Sequence, residues 1–346
     1  LEIPAVLSVK DVMKKVKNGM IIAIDGSSGI AVIDADENTV AEYEEKRSSH
    51  LKNKEALREY IGKDTRTADG IPVELFGNIG RPEEAEKVLE CDGEGIGLFR
   101  TEFLFMDSDS LPDEEKQFEA YKTAAQTMGD REIIIRTLDI GGDKEIPYMG
   151  LSREDNPFLG YRAVRYCLDH KDIYSVQLRA ILRASAYGHI KIMVPLVTCV
   201  EEIRSVRRLI EDIKAELDSK GIAYDKGIET GVMIETPSAS EIADLLAKEA
   251  DFFSIGTNDL TQYTMAVDRG NPKVSYLYSV YQPSVIRSLK RIINAADKAG
   301  IKVGMCGEAA ADALLTPLLI AFGLNEFSVS PVSDRKSTRL NSSHMS

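Results

Sequence analysis

Eight short apolar runs, separated by segments of helical spacing, decide what this chain can fold into. They occupy residues 73–78, 96–99, 133–137, 192–197, 232–235, 252–255, 303–306 and 327–330, and they read as buried strands. Helical patterns fill the gaps, notably PEEAEKVLE, DEEKQFEAYKTAAQTM, IYSVQLRAILRASAYG, EEIRSVRRLIEDIKAEL and PSVIRSLKRIINAADKAG. Alternation of this kind over about 260 residues has the count and size of a (β/α)8 barrel. The doubly wound open sheet is the competing architecture, but no GxGxxG follows a first strand, and GEGIG at 93–97 precedes one. The expected fold class is therefore α/β, a (β/α)8 TIM-type barrel. No helical pattern follows the eighth strand, so this barrel is expected to lack its last helix.

The stretch GIETGVMIETPSASEIADLLAKEADFFSIGTNDLTQY is the densest in polar strand ends. Val232, Met233 and Ile234 form one strand that delivers Glu235, and Phe252 to Ile255 form another that delivers Asn258 and Asp259 past a glycine. Between them SASEIADLLAKEA has the spacing of an amphipathic helix with serine at its start. A βαβ unit has parallel strands, so both acidic tips lie at one edge of the sheet. Two carboxylates converging there repel unless a cation sits between them, and hard oxygens suit magnesium. The plainer reading has Glu235 capping a helix and NDLT starting another.

The segments before the barrel are different in kind. Residues 1–37 are β-rich, with LEIPAV beginning in mid-strand, a helix-like DVMKKVKNG, and IIAID and IAVIDA flanking a GSSG turn. They are too few to bury a core of their own. Residues 38–65 are highly charged with sparse apolar positions, as in a solvated linker helix. The barrel is assigned to 66–333, and the polar stretch at 334–346 reads as a foreign, structureless tail.

A formal charge of -13 argues against nucleic-acid binding. A local arginine cluster in such a protein can still hold a small anion. No apolar run approaches membrane-spanning length and no basic, apolar leader precedes the first strand, so a cytoplasmic protein with no membrane contact is expected. Cys91, Cys167, Cys199 and Cys306 are scattered without a CxxC pair, which fits a reducing compartment.

Barrel enzymes carry their chemistry at the carboxyl ends of the strands. Those positions hold Arg100 and Glu102, Arg136 and Asp139, Glu235, Asn258 and Asp259, and Cys306 with Glu308, while Arg162 and Arg269 lie in loops just beyond. Arginine's planar fork matches phosphoryl oxygens with two hydrogen bonds, so several converging arginines favour a phosphate ester. Taken singly, a strand-end arginine is more often a salt-bridge partner, and Cys306 could be a small core residue.

The motifs IGLFRTEFLFMD, RTLDIGGDK, NPFLGYRAVR, MIETPSA, SIGTNDLTQYTMAVDR and GMCGEAA occur in this order. Together they make the chain similar to the phosphoenolpyruvate-binding barrel of the Enzyme I family, the phosphoenolpyruvate-protein phosphotransferases of the sugar phosphotransferase system. The resemblance runs from near residue 1 to about Ser333. Pyruvate phosphate dikinase and phosphoenolpyruvate synthase have similar barrels, but the charged linker and the IGLFRTEFLF form look more like Enzyme I.

Carried over position by position, the resemblance implies that Arg100, Arg136 and Arg269 hold the phosphoryl group, with Arg162 assisting. It makes Glu235 and Asp259 the ligands of Mg2+, and gives Asn258 and Asp259 contact with the substrate. Cys306 becomes the acid that protonates the enolpyruvate carbon to give pyruvate. Residues 1–37 correspond to the end of the phosphohistidine domain. The family's acceptor histidine, in a TSH motif, has no counterpart here. His50, His170, His189 and His344 are expected on solvated surfaces instead. The domain that docks the phosphocarrier protein HPr is likewise unmatched, and with the final helix replaced by the tail, the family's homodimer is in doubt. The competing expectations are a dikinase or synthase barrel and a catalytically silent phosphoenolpyruvate sensor.

Overall fold

The computed structural model describes residues 4–7, 9–58, 62–67, 69–141, 146–151 and 153–330. They belong to two units, Leu1–Lys63 and Asp64–Ser346.

In the first unit a single turn, α1 (Val12–Lys15), precedes two strands, β1 (Ile22–Asp25) and β2 (Ile30–Ile33). These pair antiparallel, with Ile22 opposite Ile33 and Asp25 opposite Ile30. The GSSG turn between them is tied by Asp25, whose Oδ1 accepts from the backbone N–H of Ser27 at 2.9 Å, an aspartate turn of the kind that side chain favours. Of LEIPAV, residues 1–3 lie outside the described residues, and residues 4–6 have no strand structure. Helix α2 (Glu37–Arg58) starts at Asp36, whose Oδ1 accepts from Thr39 N at 2.8 Å as an N-cap. Most of its described side chains are exposed, as its charged sequence requires.

The second unit is a closed barrel. Its strands are β3 (Glu74–Ile79), β4 (Gly95–Arg100), β5 (Glu132–Arg136), β6 (Ile190–Val194), β7 (Thr230–Ile234), β8 (Phe252–Ile255), β9 (Lys302–Cys306) and β10 (Glu326–Val329). Each pairs in parallel with the next, and β10 bonds to both β9 and β3 to close the ring. At that seam Asn78 Nδ2 donates to the Ser328 carbonyl at 3.1 Å and Ser328 Oγ donates to Asn78 Oδ1 at 2.6 Å, across 250 positions of sequence. All eight apolar runs are thus strands of the barrel, within a few residues of the expected ends.

Helices α3 (Glu84–Glu90), α4 (Glu102–Met106), α5 (Glu114–Met128), α6 (Val164–Asp169), α7 (Lys171–Ala184) and α8 (Val200–Ser219) connect β3 to β7. Beyond β7 come α9 (Pro237–Glu241), α10 (Ala243–Leu246), α11 (Thr257–Met265), α12 (Pro283–Ala299) and α13 (Thr316–Phe322). The segment SASEIADLLAKEA is not one helix. It breaks at Ile242, with φ -103 and ψ 22, into α9 and α10, and the cap is Thr236, whose Oγ1 accepts from Ala239 N at 3.1 Å. The expected loss of the last barrel helix and the tail at 334–346 fall outside the described residues, which end at 330.

Alternation along the strands sorts the core into two layers. Outward residues such as Phe99, Ile135, Phe253 and Met305 join the helices in one large apolar cluster. Inward residues Leu98, Ile134, Met193, Met233, Phe252 and Cys306 form a smaller one within the ring. At the strand beginnings, opposite the chemical end, Lys302 Nζ pairs with Glu74 at 2.7 Å and Glu326 at 2.9 Å. Lys191 Nζ pairs there with Glu132 at 2.9 Å and Glu229 at 2.7 Å.

Candidate functional site

Every side chain singled out at a strand tip lies at the carboxyl edge, because parallel strands around a closed ring end on one side. Arg100 and Arg136 are opposite each other in the β4–β5 register. Arg136 is buried, with Nη2 at 2.5 Å from Glu102 Oε1 and Nη1 at 3.1 Å from Asp139 Oδ2. Burial works against its charge, but Glu102, Asp139 and Glu235 more than offset this and raise its pKa. The tip is held from behind: Thr101 Oγ1 donates to the Arg136 carbonyl at 2.8 Å, and Gln177 of α7 donates to Thr101 Oγ1 at 3.0 Å.

Arg162 joins the strand tips to α11. Its Nη2 lies 2.7 Å from Asp139 Oδ1 and 3.3 Å from Asp259 Oδ2, and its Nη1 donates to the Tyr263 hydroxyl at 3.2 Å. Arg269 approaches the other oxygen, with Nη1 at 3.4 Å from Asp259 Oδ1, from a more exposed position at the rim. NDLT does begin a helix, and Asp259 in its first turn also takes part in the charge network.

Glu235 follows β7 directly and is 2 % exposed. Its Oε1 accepts from the backbone N–H of Leu196 at 2.7 Å. Leu196 has φ 56, a left-handed conformation that costs a leucine energy and recurs at functional sites. Gly256 passes so close that a Cβ there would stand 2.7 Å from Glu235 Oε2. Burial, then the charges of Asp259 and Asp139, push the Glu235 carboxyl well above the ordinary carboxylate range, despite Arg136 and Arg162. Four carboxylates, Glu102, Asp139, Glu235 and Asp259, share this buried layer with two guanidinium groups, Arg136 and Arg162.

Cys306 ends β9, buried and facing inward. Ser254 Oγ donates to its Sγ at 3.2 Å. Burial pushes the thiol up to about 11, while Ser254 and Arg136 pull the other way. Asn258 is turned toward the following loop, its Oδ1 accepting from Glu308 N at 3.1 Å. These two residues, with Thr257, Thr261, Tyr278, Tyr281 and Asp312, line a cavity of about 250 Å³.

Ion pairs therefore bring Arg136, Arg162, Asp259 and Arg269 into one network, with Glu235 and Cys306 within its field. Arg100 enters through its register with Arg136, while Asn258 faces the cavity beside the network. Among the described residues, Nε of Arg100, Nε of Arg136 and Oγ1 of Thr257 are buried without a hydrogen-bond partner. Such groups are rare in folded proteins and call for an explanation.

Leu196, Ser254 and Tyr263 carry no expectation from sequence. Tyr263 had a signal, since it sits four residues after Asp259 on one helix and so shares its face. Ser254 had one too, as a hydroxyl among the apolar residues of β8. Leu196 had none, because its contribution is a backbone N–H. Of the histidines, His50 and His189 are exposed, whereas His170 is half-buried with its ring stacked on Tyr166 at 4.2 Å. His344 lies outside the described residues. Among the described residues no helix is long and apolar enough to cross a membrane.

The chain is 49% identical over 333 residues to the phosphoenolpyruvate-protein phosphotransferase of Priestia megaterium, covering 96% of this chain and 58% of that protein. The phosphotransferase of the same name from Bacillus subtilis (strain 168) gives the same 49% identity and the same coverage. That of Staphylococcus carnosus (strain TM300) is 49% identical over 340 residues, 98% of this chain and 59% of its own length. The chain thus spans less than two thirds of the curated relatives it matches. Residues 54–341 match the sequence family described as PEP-utilising enzyme, PEP-binding domain, and the chain belongs to that family.

Proposed function

We propose that this chain is the substrate-binding portion of a phosphoenolpyruvate-protein phosphotransferase of the Enzyme I type. The observation that carries the reading is the buried network of Arg136, Arg162, Glu235 and Asp259 above the Cys306 thiol. Arg100, Arg136, Arg162 and Arg269 bind the phosphoryl group, and the unpartnered Nε donors of Arg100 and Arg136 suit an anion. Asn258 and Asp259 complete the substrate contacts.

Glu235 and Asp259 would hold magnesium. The excess of carboxylates over guanidinium groups in the buried layer favours a cation. Among the described residues no group of three or more His, Cys, Asp or Glu side chains is arranged to hold a metal. Two carboxylates with water and substrate oxygens are nonetheless an ordinary magnesium shell. When bound, the ion neutralises charge on the transferring phosphoryl oxygens.

The reaction breaks the ester P–O bond as phosphorus bonds to a histidine nitrogen supplied by a phosphohistidine domain. Enolpyruvate keeps the electron pair. Cys306, protonated at neutral pH, gives its proton to the terminal carbon, forming C–H and leaving a thiolate that water reprotonates. Residues 1–37 read as the end of the phosphohistidine domain, and 38–65 as its linker. HPr is the onward acceptor in the whole protein.

Calorimetric titration with phosphoenolpyruvate, with and without magnesium, tests binding. Saturable, magnesium-dependent binding supports the reading, and a flat titration sinks it. With the histidine domain supplied in trans, Cys306→Ala should bind substrate normally yet release no pyruvate. Undiminished release would remove Cys306 from the mechanism.

A further inference from the structure

The interior of β8 and β9 contains a polar contact that the proposed mechanism has not used. Phe252 and Cys306 both belong to the inward cluster, so alternation along β8 also turns Ser254 inward. Ser254 lies opposite Gly304 in the β8–β9 register, two residues before Cys306. At 1 % exposure its hydroxyl is shut off from bulk water, and its hydrogen goes to Cys306 Sγ at 3.2 Å.

We propose that Ser254 is a positioning residue for Cys306: by donating to Sγ it fixes the thiol on the inner face of the barrel and stabilises the thiolate left after proton transfer. The argument rests on the proton-donor reading of Cys306 given above. The surroundings make such help necessary. Leu98, Ile134, Met193, Met233 and Phe252, the other members of the inward cluster, offer sulfur no hydrogen-bond donor of ordinary strength. The charged groups whose fields reach it are Arg136, which favours the thiolate, and Glu235 and Glu326, which oppose it. A fixed hydroxyl is an uncharged donor needing little reorganisation when the charge appears.

The balance of the step is simple. Sulfur gives its proton to the enolpyruvate carbon, the S–H electron pair stays on sulfur, and the Ser254 O–H donates to it without losing its own proton. In reverse, the thiolate removes a methyl proton from pyruvate. Deuterium exchange at that methyl group therefore reports thiolate availability without a phosphoryl acceptor.

The test follows methyl exchange by proton NMR in D2O, with pyruvate and magnesium as probes, for the wild-type chain, Ser254→Ala, Ser254→Thr and Cys306→Ala. Ser254→Ala is expected to exchange about tenfold more slowly at unchanged pyruvate affinity and melting temperature, with Ser254→Thr recovering most of the rate. Equal rates in wild type and Ser254→Ala overturn the inference, as does loss of pyruvate binding in Ser254→Ala. Exchange that survives Cys306→Ala, or is absent from the wild type, instead strikes the proton-donor reading itself.

Discussion

Arg100 and Arg136 are register partners at the ends of adjacent parallel strands, yet only Arg136 is locked between buried carboxylates. Arg100 has its guanidinium over the Phe103 ring at 5.2 Å, and its Nε has no hydrogen-bond partner among the described residues. Neighbouring arginines therefore have different local supports.

That contrast predicts a split between binding and stability. Arg136→Ala leaves Glu102 and Asp139 without a cation they now share, so it should lower folding stability by about 3 kcal/mol and weaken phosphoenolpyruvate binding by about 2 kcal/mol. Arg100→Ala should weaken binding by a similar amount with little change in melting temperature. Calorimetry and thermal denaturation on the same samples measure both. Equal affinities in wild type and Arg136→Ala refute its role in the site.

Glu235→Gln should abolish the magnesium dependence of substrate binding while leaving the metal-free fold at least as stable. The amide oxygen can still accept from Leu196 N, and the amide stays neutral where burial, Asp259 and Asp139 already disfavour a charged carboxylate. Titration at varied magnesium, paired with melting curves in chelator, decides the matter. A variant that keeps its magnesium dependence frees Glu235 from the proposed metal role.

At the opposite end of the barrel, burial lifts the Glu326 carboxyl to about 7, even though the Lys302 ammonium lies 2.9 Å away and pulls it down. Lys302 faces Glu74 and Glu132 as well, which keeps it charged. A carboxyl whose folded value exceeds its unfolded one binds more protons in the native state. Its contribution to stability is complete below the unfolded value near 4.3 and is lost as pH rises through 7. The loss is on the order of 3 kcal/mol. Denaturant melts at pH 5 and 8 should show wild type losing more stability across this window than Glu326→Gln. Parallel losses would place the carboxyl's titration elsewhere.

The barrel was legible because each strand is covered on both faces, so short, mostly apolar runs such as those at 133–137 and 252–255 mark the strands directly. Strand tips followed from the runs, and with them Arg136, Glu235, Asp259 and Cys306. Harder to read were features set by tertiary contact. The break at Ile242 interrupts a segment whose apolar spacing gives no warning of it. The Leu196 amide reaches Glu235 through a backbone conformation that no leucine side chain announces. Ser254 gains its meaning only from a cysteine 52 residues away.

The Asn78–Ser328 clasp also bears on how the protein emerges from a ribosome. Until residues 326–329 are free, β3 and β9 each expose an unsatisfied backbone edge, and the ring stays open to pairing with other nascent chains. Bringing ends 250 residues apart together costs roughly 5 kcal/mol of chain entropy. Synthesis of this protein should therefore include a late interval in which most of the barrel is made but remains vulnerable, and a chaperone that shields strand edges would act there.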